Sequence, residues 1–402
     1  MYAAPSTTER PTLAIRRNGA YRISRTTAAA LESIHGSLGR VLPRYAAIIR
    51  TAEMPKRNGT TRNAHETAIG AILSADLPPA VRRLAGAYGR QRTDPPILFS
   101  TEIILNAGKP YVISVNAHSA RHWELVFPLS TIAPHTMTRW DRVMSAIDRR
   151  PPFARIVLHE GASEHERQSR IALAAAIDQG RDIAVADDAD FTALRQSMSN
   201  GRRSLLLEIP PPIPSNDGLM DLIGRRALAT IFTPIPALSS LNLLALIRGY
   251  DMETHGAAAA DRMPKRLAGC ERDIDALRPH IAETALLHRG TPPGMIRRRC
   301  EDGAFVLRTA SPLSAQKRRL SVERQEDRAA SLALRNPFSA VLQERIKPDR
   351  CAVPIDHAIV SCPIRLITYG CGTELLACVA IAQRPPNDEF GARNIALAVS
   401  VV

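Results

Sequence analysis

The residues best suited to chemistry in this chain follow a short apolar run, FARIVL at 153–158. The loop after that run contains Gly161, and Arg167, Gln168 and Ser169 stand where a helix is predicted to begin. Backbone N–H groups of such a loop, together with the N-terminus of the next helix, can hold phosphate groups. The segment therefore predicts a nucleotide-binding loop, and an ordinary charged loop between a strand and a helix is the alternative interpretation.

Carboxylates follow two further apolar runs. Asp187 and Asp188 come directly after one run, and Glu208 comes directly after the other. Carboxylates in such positions can orient a water molecule or hold a metal ion. For the two aspartates we favour a simpler role, capping of the next helix. Glu208 is interpreted equally well as a former catalytic acid or as a carboxylate paired with Arg202 or Arg203.

Strands that alternate with helices are needed to position these residues. Four runs have the length and composition of parallel strands covered on both faces, and they lie at 153–158, 183–186, 205–207 and 227–232. Helical periodicity at 168–177 and 191–198 supplies crossover connections, so the segment predicts an α/β domain with a parallel sheet. The turn between Leu158 and Gln168 is expected to join the carboxyl edge of that sheet to a helix.

Composition and hydrophobic periodicity divide the rest of the chain into further predicted units. Two strand-like segments, ILFSTEIIL and YVISVNA, surround the turn Asn106–Pro110, and WELVFPL is interpreted as a third strand. The prediction has five units, namely a helical region at 1–92, the antiparallel part of an N-terminal domain at 93–132, a linker at 133–139, the α/β domain at 140–345 and a β-rich appendage at 346–402.

Bulk composition excludes several classes of protein. The chain has 402 residues and a formal net charge of +14, but arginine supplies almost all of the basic residues, which indicates a coding bias more than a nucleic-acid-binding face. The six cysteines form no CxxC pair and no zinc-type spacing, so reduced thiols and no metal site are expected. No apolar segment has the length of a signal peptide or a transmembrane helix, so a cytoplasmic protein, at most peripheral to the inner membrane, is predicted.

Five segments, taken in order, resemble the ATPases that drive type II secretion, type IV pili and conjugal or Dot/Icm-like type IV systems. The loop after FARIVL resembles the phosphate loop of that family, RDIAVADDADF its acidic box, ALRQSMSNGRRSLLLEI its Walker B region and ALATIFTPIPALSS its histidine box. The stretch from ILFSTEI to WELVFPL resembles the family's N-terminal domain. The resemblance implies a RecA-like P-loop domain preceded by a smaller PAS-like domain, and a hexamer that uses ATP and Mg²⁺.

The chain departs from that family at the positions that bind the nucleotide and catalyse its hydrolysis. Arg167 replaces the loop lysine, Gln168 replaces the hydroxyl that holds the metal, and Phe232 replaces the histidine. The acidic positions keep their character, since Asp187 and Asp188 stand for the Glu-Asp pair of the acidic box, Asp190 stands for its later glutamate, and Glu208 is retained in Walker B. Asp187, however, is one methylene shorter than glutamate. The resemblance therefore implies a catalytically degenerate member in which ATP and Mg²⁺ binding is weak or lost.

The function predicted from this resemblance is a structural or regulatory subunit of a secretion, conjugation or pilus system. Its expected partners are an active motor ATPase, in a homo- or hetero-oligomer, and an inner-membrane platform protein. Two alternatives stay open, a divergent but active ATPase and a non-enzymatic adaptor.

Overall fold

The computed structural model describes residues 14–53, 64–75, 77–79, 81–82, 85, 96–118, 122–148, 155–159, 173, 176–177, 182–186, 204–206, 228–233, 235–249, 265–287, 291–301, 303–310, 338–355, 358–383 and 394–402. These residues form a mixed α/β fold with three sheets. The strands, in chain order, are β1 (Ala14–Ile23), β2 (Leu98–Asn106), β3 (Lys109–Asn116), β4 (Arg155–His159), β5 (Asp182–Ala186), β6 (Ser204–Leu206), β7 (Leu228–Thr230), β8 (Thr284–Leu286), β9 (Phe305–Thr309), β10 (Ala340–Glu344), β11 (Arg350–Ile355), β12 (Ala358–Cys371), β13 (Glu374–Ala382) and β14 (Ile395–Val401).

The α-helices of the described residues are shorter elements around these sheets, except for the first. They are α1 (Arg25–Glu53), α2 (Ala64–Leu73), α3 (Val126–Ile132), α4 (Trp140–Asp148), α5 (Leu241–Arg248), α6 (Glu271–Leu277) and α7 (Pro293–Glu301). None of the helices in the described ranges is long and apolar enough to span a lipid bilayer.

The largest sheet has seven strands and joins distant parts of the chain. Its order is β1-β14-β13-β12-β2-β3, and β11 pairs with the first half of β12. β1 and β14 are parallel, and the other pairs are antiparallel. Segments that the sequence assigned to separate units, 93–132 and 346–402, therefore hydrogen-bond to each other, and the domain boundaries themselves stay predictions.

The hairpin between β2 and β3 confirms the turn predicted after Asn106. Ala107 and Gly108 both have positive φ, 50° and 76°, a turn geometry whose twist matches that of the strands. The carboxylate of Asp349 accepts the N–H groups of Ala107 (2.7 Å) and Gly108 (2.9 Å). Asp349 thereby ties the start of β11 to this turn.

Helix α1 covers one face of the large sheet. Its apolar side chains recur at helical spacing, for example Leu31, Ile34 and Leu38, and they are buried in the main hydrophobic core. The helix approaches the turn between β12 and β13 closely at Gly39, where a Cβ atom would lie 1.8 Å from the carbonyl oxygen of Gly372. Only a residue without a side chain permits this approach.

The other face is covered by α3, α4 and a 3₁₀ turn at Trp123–Leu125. WELVFPL was predicted to be a strand, and this prediction is wrong. Trp123, Val126 and Leu129 are spaced by three residues and are all buried, so the segment buries its apolar side chains with a helical period. Helix α4 begins at Trp140, the position where the sequence placed the start of the α/β domain.

The small parallel sheet confirms the α/β prediction for the middle of the chain. Its order is β5-β4-β6-β7, and all three pairs are parallel. Each of the four predicted strands is present within two or three residues of its expected position. A third sheet, β8-β10-β9, lies in the last part of the segment 140–345 that was assigned to the α/β domain.

Candidate functional site at the carboxyl edge of the parallel sheet

The order of the parallel strands defines where a ligand can enter. The chain passes from β4 to β5 on one side of β4 and then crosses back to β6 on its other side. The carboxyl ends of β4 and β6, at His159 and Leu206, therefore border a topological switch point. In open α/β sheets, ligands bind in the crevice at this position, beyond the carboxyl ends of the strands.

The chain beyond β7 connects this edge to the large sheet. Ile231, Phe232 and Thr233 follow β7 directly, and all three are buried. The N–H of Thr233 donates to the carbonyl of Ala117, just after β3 (3.2 Å). The ring of Phe232 meets Trp123 edge to face at 5.3 Å between centroids. The carboxyl end of β7 thus lies against the carboxyl end of β3.

Two nearly buried polar side chains, His118 and Ser239, meet at this junction. His118 follows β3, and Ser239 closes the 3₁₀ turn Pro236–Ser239 that precedes α5. The hydroxyl of Ser239 lies 2.8 Å from Nδ1 of His118 and accepts the N–H of Ala117, also at 2.8 Å. His118 is 7% exposed and Ser239 8% exposed.

The pair has a defined direction of hydrogen bonding when Nδ1 of His118 carries no proton. Ser239 then donates its proton to His118 while its oxygen accepts from the backbone of Ala117. The side-chain oxygen of Asn116 is a more distant second acceptor at 3.5 Å. An imidazole and a hydroxyl so arranged can bind an oxyanion or assist a proton transfer.

A second buried polar cluster lies between α1 and the large sheet. Nε2 of His35 lies 2.6 Å from the hydroxyl of Thr368, which lies 2.5 Å from the hydroxyl of Thr101. The imidazole stacks on Phe99 at 5.0 Å between ring centroids. Burial lowers the pKa of His35 from 6.5 to about 3, so its ring is neutral at physiological pH. This cluster is enclosed by the core, and we assign it a structural role.

The residues that the sequence singled out lie outside the described residues. They are Gly161, Arg167, Gln168, Ser169, Asp187, Asp188 and Glu208. In the sequence, Gly161 follows the end of β4 by two positions, Asp187 follows β5 directly, and Glu208 follows β6 by two positions. Their roles stay predictions.

The pair formed by His118 and Ser239 was missed by sequence reasoning. The two residues are 121 positions apart, and no motif spacing connects them. The only available signal was local and weak, because His118 comes two residues after β3, whereas Ser239 comes nine residues after β7. Within the described ranges, no group of three or more His, Cys, Asp or Glu side chains is arranged to hold a metal ion.

The described residues form a mixed α/β fold with a topological switch point at the carboxyl edge of its parallel sheet. No protein-family model matches the chain, and no curated protein matches it. Among solved structures, it is similar to the crystal structure described as "Putative gamma-glutamylcysteine synthetase" from Methylobacillus flagellatus KT. The two chains share 9% sequence identity with a TM-score of 0.39, over 80% of this chain and 83% of that one.

These comparisons correct the identification made from the sequence. The resemblance to secretion and pilus ATPases is wrong, and the function of a degenerate secretion, conjugation or pilus subunit falls with it, because no protein-family model, including any for those ATPases, matches the chain. The physical reason is that strand, glycine-containing loop, helix and acidic strand end recur in many doubly wound α/β sheets. The order of such segments reflects this architecture and does not specify a family.

Proposed function

We propose that this chain binds a small molecule through a phosphate or carboxylate group at the carboxyl edge of its parallel sheet. The observation that supports the proposal is the strand order β5-β4-β6-β7 with all pairs parallel. That order creates a switch point between β4 and β6, and such a point is where open α/β sheets bind their ligands.

The chemistry of the junction favours an anionic ligand. With Nδ1 of His118 held by the hydroxyl of Ser239, the ring proton of His118 lies on Nε2, which is a suitable donor for a phosphate or carboxylate oxygen. The formal net charge of +14 raises the local concentration of anions around the whole molecule. The direct hydrogen bond and the long-range effect of the net charge both favour the binding of an anion.

The residues predicted from the sequence complete the proposed site. They follow β4, β5 and β6 in the chain, and so follow the strand ends that border the crevice. We propose that the loop residues contact the anionic group and that the acidic residues orient it or cap the next helices. These residues are Gly161, Arg167, Gln168, Ser169, Asp187, Asp188 and Glu208.

Calorimetric titration of the full chain tests the proposal. The probes are ATP with and without Mg²⁺, inorganic phosphate, and glutamate as a carboxylate. We expect saturable binding of at least one probe. Loss of a hydrogen bond to a charged group weakens binding by roughly tenfold. We expect this effect from Arg167→Ala and also from Ser239→Ala, which removes the hydroxyl that holds the ring of His118.

Ser240→Ala is the matched control for Ser239→Ala. Ser240 caps α5 by accepting the N–H of Asn242 at 3.2 Å, and it also donates to the carbonyl of Ala310. Its loss should lower stability by about 1 kcal/mol and leave affinity unchanged. The proposal fails if no probe binds, or if both serine variants lose affinity equally.

Several finer predictions are independent of this proposal. The RecA-like form of the parallel sheet, the PAS-like form of the preceding part and a cytoplasmic location stay predictions. The same holds for the oligomeric state and the protein partners.

A further inference from the structure

Two cysteines lie directly opposite each other on neighbouring strands of the large sheet. β11 and β12 are antiparallel, and their register pairs Cys351 with Cys362. Opposite residues of an antiparallel pair point to the same face of the sheet. Cys362 is fully buried there, and Cys351 is half-buried against the same hydrophobic core.

Two prolines determine which type of pair the cysteines form. Pro354 and Pro363 have no N–H, so the pairs that contain them cannot exchange two backbone hydrogen bonds. The carbonyl of Pro363 instead accepts the N–H of Gln383, on the other side of β12 (3.0 Å). Since the direction of backbone groups alternates along a strand, Cys351 and Cys362 form a hydrogen-bonded pair.

This type of pair has a separation that a disulfide can bridge. The Cα atoms of a hydrogen-bonded antiparallel pair lie about 5.5 Å apart, and disulfides span roughly 4.4 to 6.8 Å between Cα atoms. The Cβ atoms of such a pair also lie about 5.5 Å apart, so they must approach by roughly 1 Å to close the bond, and a disulfide strained in this way is easily reduced again. We propose that Cys351 and Cys362 are a redox-sensitive pair that forms an intrachain disulfide when the chain meets a small disulfide such as oxidised glutathione.

The reaction balances as two successive exchanges. The half-buried Cys351 attacks first, as a thiolate, and forms a mixed disulfide with one glutathione while the other leaves as a thiolate. The sulfur of Cys362 then displaces the second glutathione and closes the Cys351–Cys362 bond. Two electrons pass from the cysteines to the oxidised glutathione, and the two cysteine protons end on the two glutathione thiols.

The bond would fix β12, the longest of the described strands, in its register. The first residues of β12 pair with β11, and the following residues pair with β2 on one side and β13 on the other. A disulfide at Cys362 would therefore tie β12 to β11 just before the residues of β12 that pair with β2 and β13. The inference concerns this hairpin and does not depend on the proposed ligand site.

Peptide mapping of the full chain tests the proposal directly. The chain is incubated with oxidised glutathione, alkylated with N-ethylmaleimide and digested with trypsin without reduction. Cleavage after Arg350 and Arg365 releases one peptide, 351–365, that contains both cysteines. We expect this peptide without alkylation and lighter than its dithiol form by two hydrogen atoms. A doubly alkylated peptide, or a lasting glutathione adduct on Cys351, would overturn the proposal.

Two variants and an unfolded reference establish that the fold aligns the thiols. Cys362→Ser should retain glutathione on Cys351, and Cys351→Ser should leave Cys362 unreactive until the chain is unfolded. The equilibrium constant for closing the disulfide should be at least about tenfold larger in the folded chain than in urea, because the fold raises the effective concentration of one thiol at the other. Equal constants in the two states would show that the fold does not align them, and the proposal would fail.

Discussion

At the scale of single residues, His35 shows how burial determines a charge state. Its ring is fully buried between α1 and the large sheet, and its Nδ1 has no hydrogen-bond partner among the described atoms. A Cβ atom on Gly370 would lie 2.4 Å from that nitrogen, so the ring has no room to move away. Desolvation therefore disfavours the imidazolium form and lowers the pKa of His35 to about 3.

The lowered pKa of His35 predicts a loss of stability in acid. Between pH 6.5 and about 3, the unfolded chain binds a proton at His35 that the folded chain does not bind, so the free energy of unfolding falls as the pH falls. The slope approaches about 1.4 kcal/mol per pH unit, or on the order of 2 kcal/mol lost at pH 5. Urea unfolding at a series of pH values measures this decrease in the free energy of unfolding.

The variant His35→Gln separates this effect from the rest of the protein. It removes the titrating ring, so the difference in unfolding free energy between wild type and variant should shrink from pH 7 to pH 5. Other groups titrate equally in both chains and cancel in that difference. A difference that stays constant over this range would contradict the pKa assigned to His35.

At the scale of elements, helix α1 contains two glycines with different surroundings. Gly39 lies against the β12–β13 turn, where a Cβ atom would be 1.8 Å from the carbonyl oxygen of Gly372. At Gly36 the nearest atoms to a Cβ are the flexible guanidinium nitrogens of Arg40, at 3.7 Å. The same substitution is thus strained at one position and permitted at the other.

We expect Gly39→Ala and Gly36→Ala to change stability in opposite directions. Gly39→Ala forces the helix away from the sheet and should destabilise the chain by about 3 kcal/mol or more. Gly36→Ala lowers the backbone entropy of the unfolded chain and should stabilise the folded protein by roughly 0.5 to 1 kcal/mol. Urea denaturation of both variants measures these values, and similar effects at the two sites would refute the close approach at Gly39.

At the scale of the whole molecule, local patterns were predictable and distant pairings were not. The four strands of the parallel sheet and the β2–β3 hairpin could be predicted because apolar runs and turn residues are local signals. The pairing of β12 with β2 joins Arg365 to Ile104, and no local pattern encodes that register. The meeting of His118 with Ser239 depends on such a distant contact, so the sequence could not reveal it.

Trp123 lies between the large sheet and the segment that follows the parallel sheet. Its ring meets Phe232, beyond the parallel sheet, at 5.3 Å and Tyr369, on β12, at 5.0 Å, and all three side chains are buried. The hydroxyl of Tyr369 donates to the carbonyl of His122 at 2.7 Å, which holds the segment before Trp123 against β12. Removing Phe232 should therefore loosen the docking of one sheet on the other.

We expect Phe232→Ala to lower the free energy of unfolding by about 3 to 5 kcal/mol, the usual cost of removing a buried aromatic ring. Phe232→Leu keeps most of the volume and should cost less. The chain has two tryptophans, so the background Trp140→Phe leaves Trp123 as the only one. In that background, the fluorescence of Trp123 should shift to longer wavelength in Phe232→Ala, because water reaches the indole. An unchanged spectrum would mean that Phe232 does not shield Trp123, and the two sheets would then be held together by contacts elsewhere.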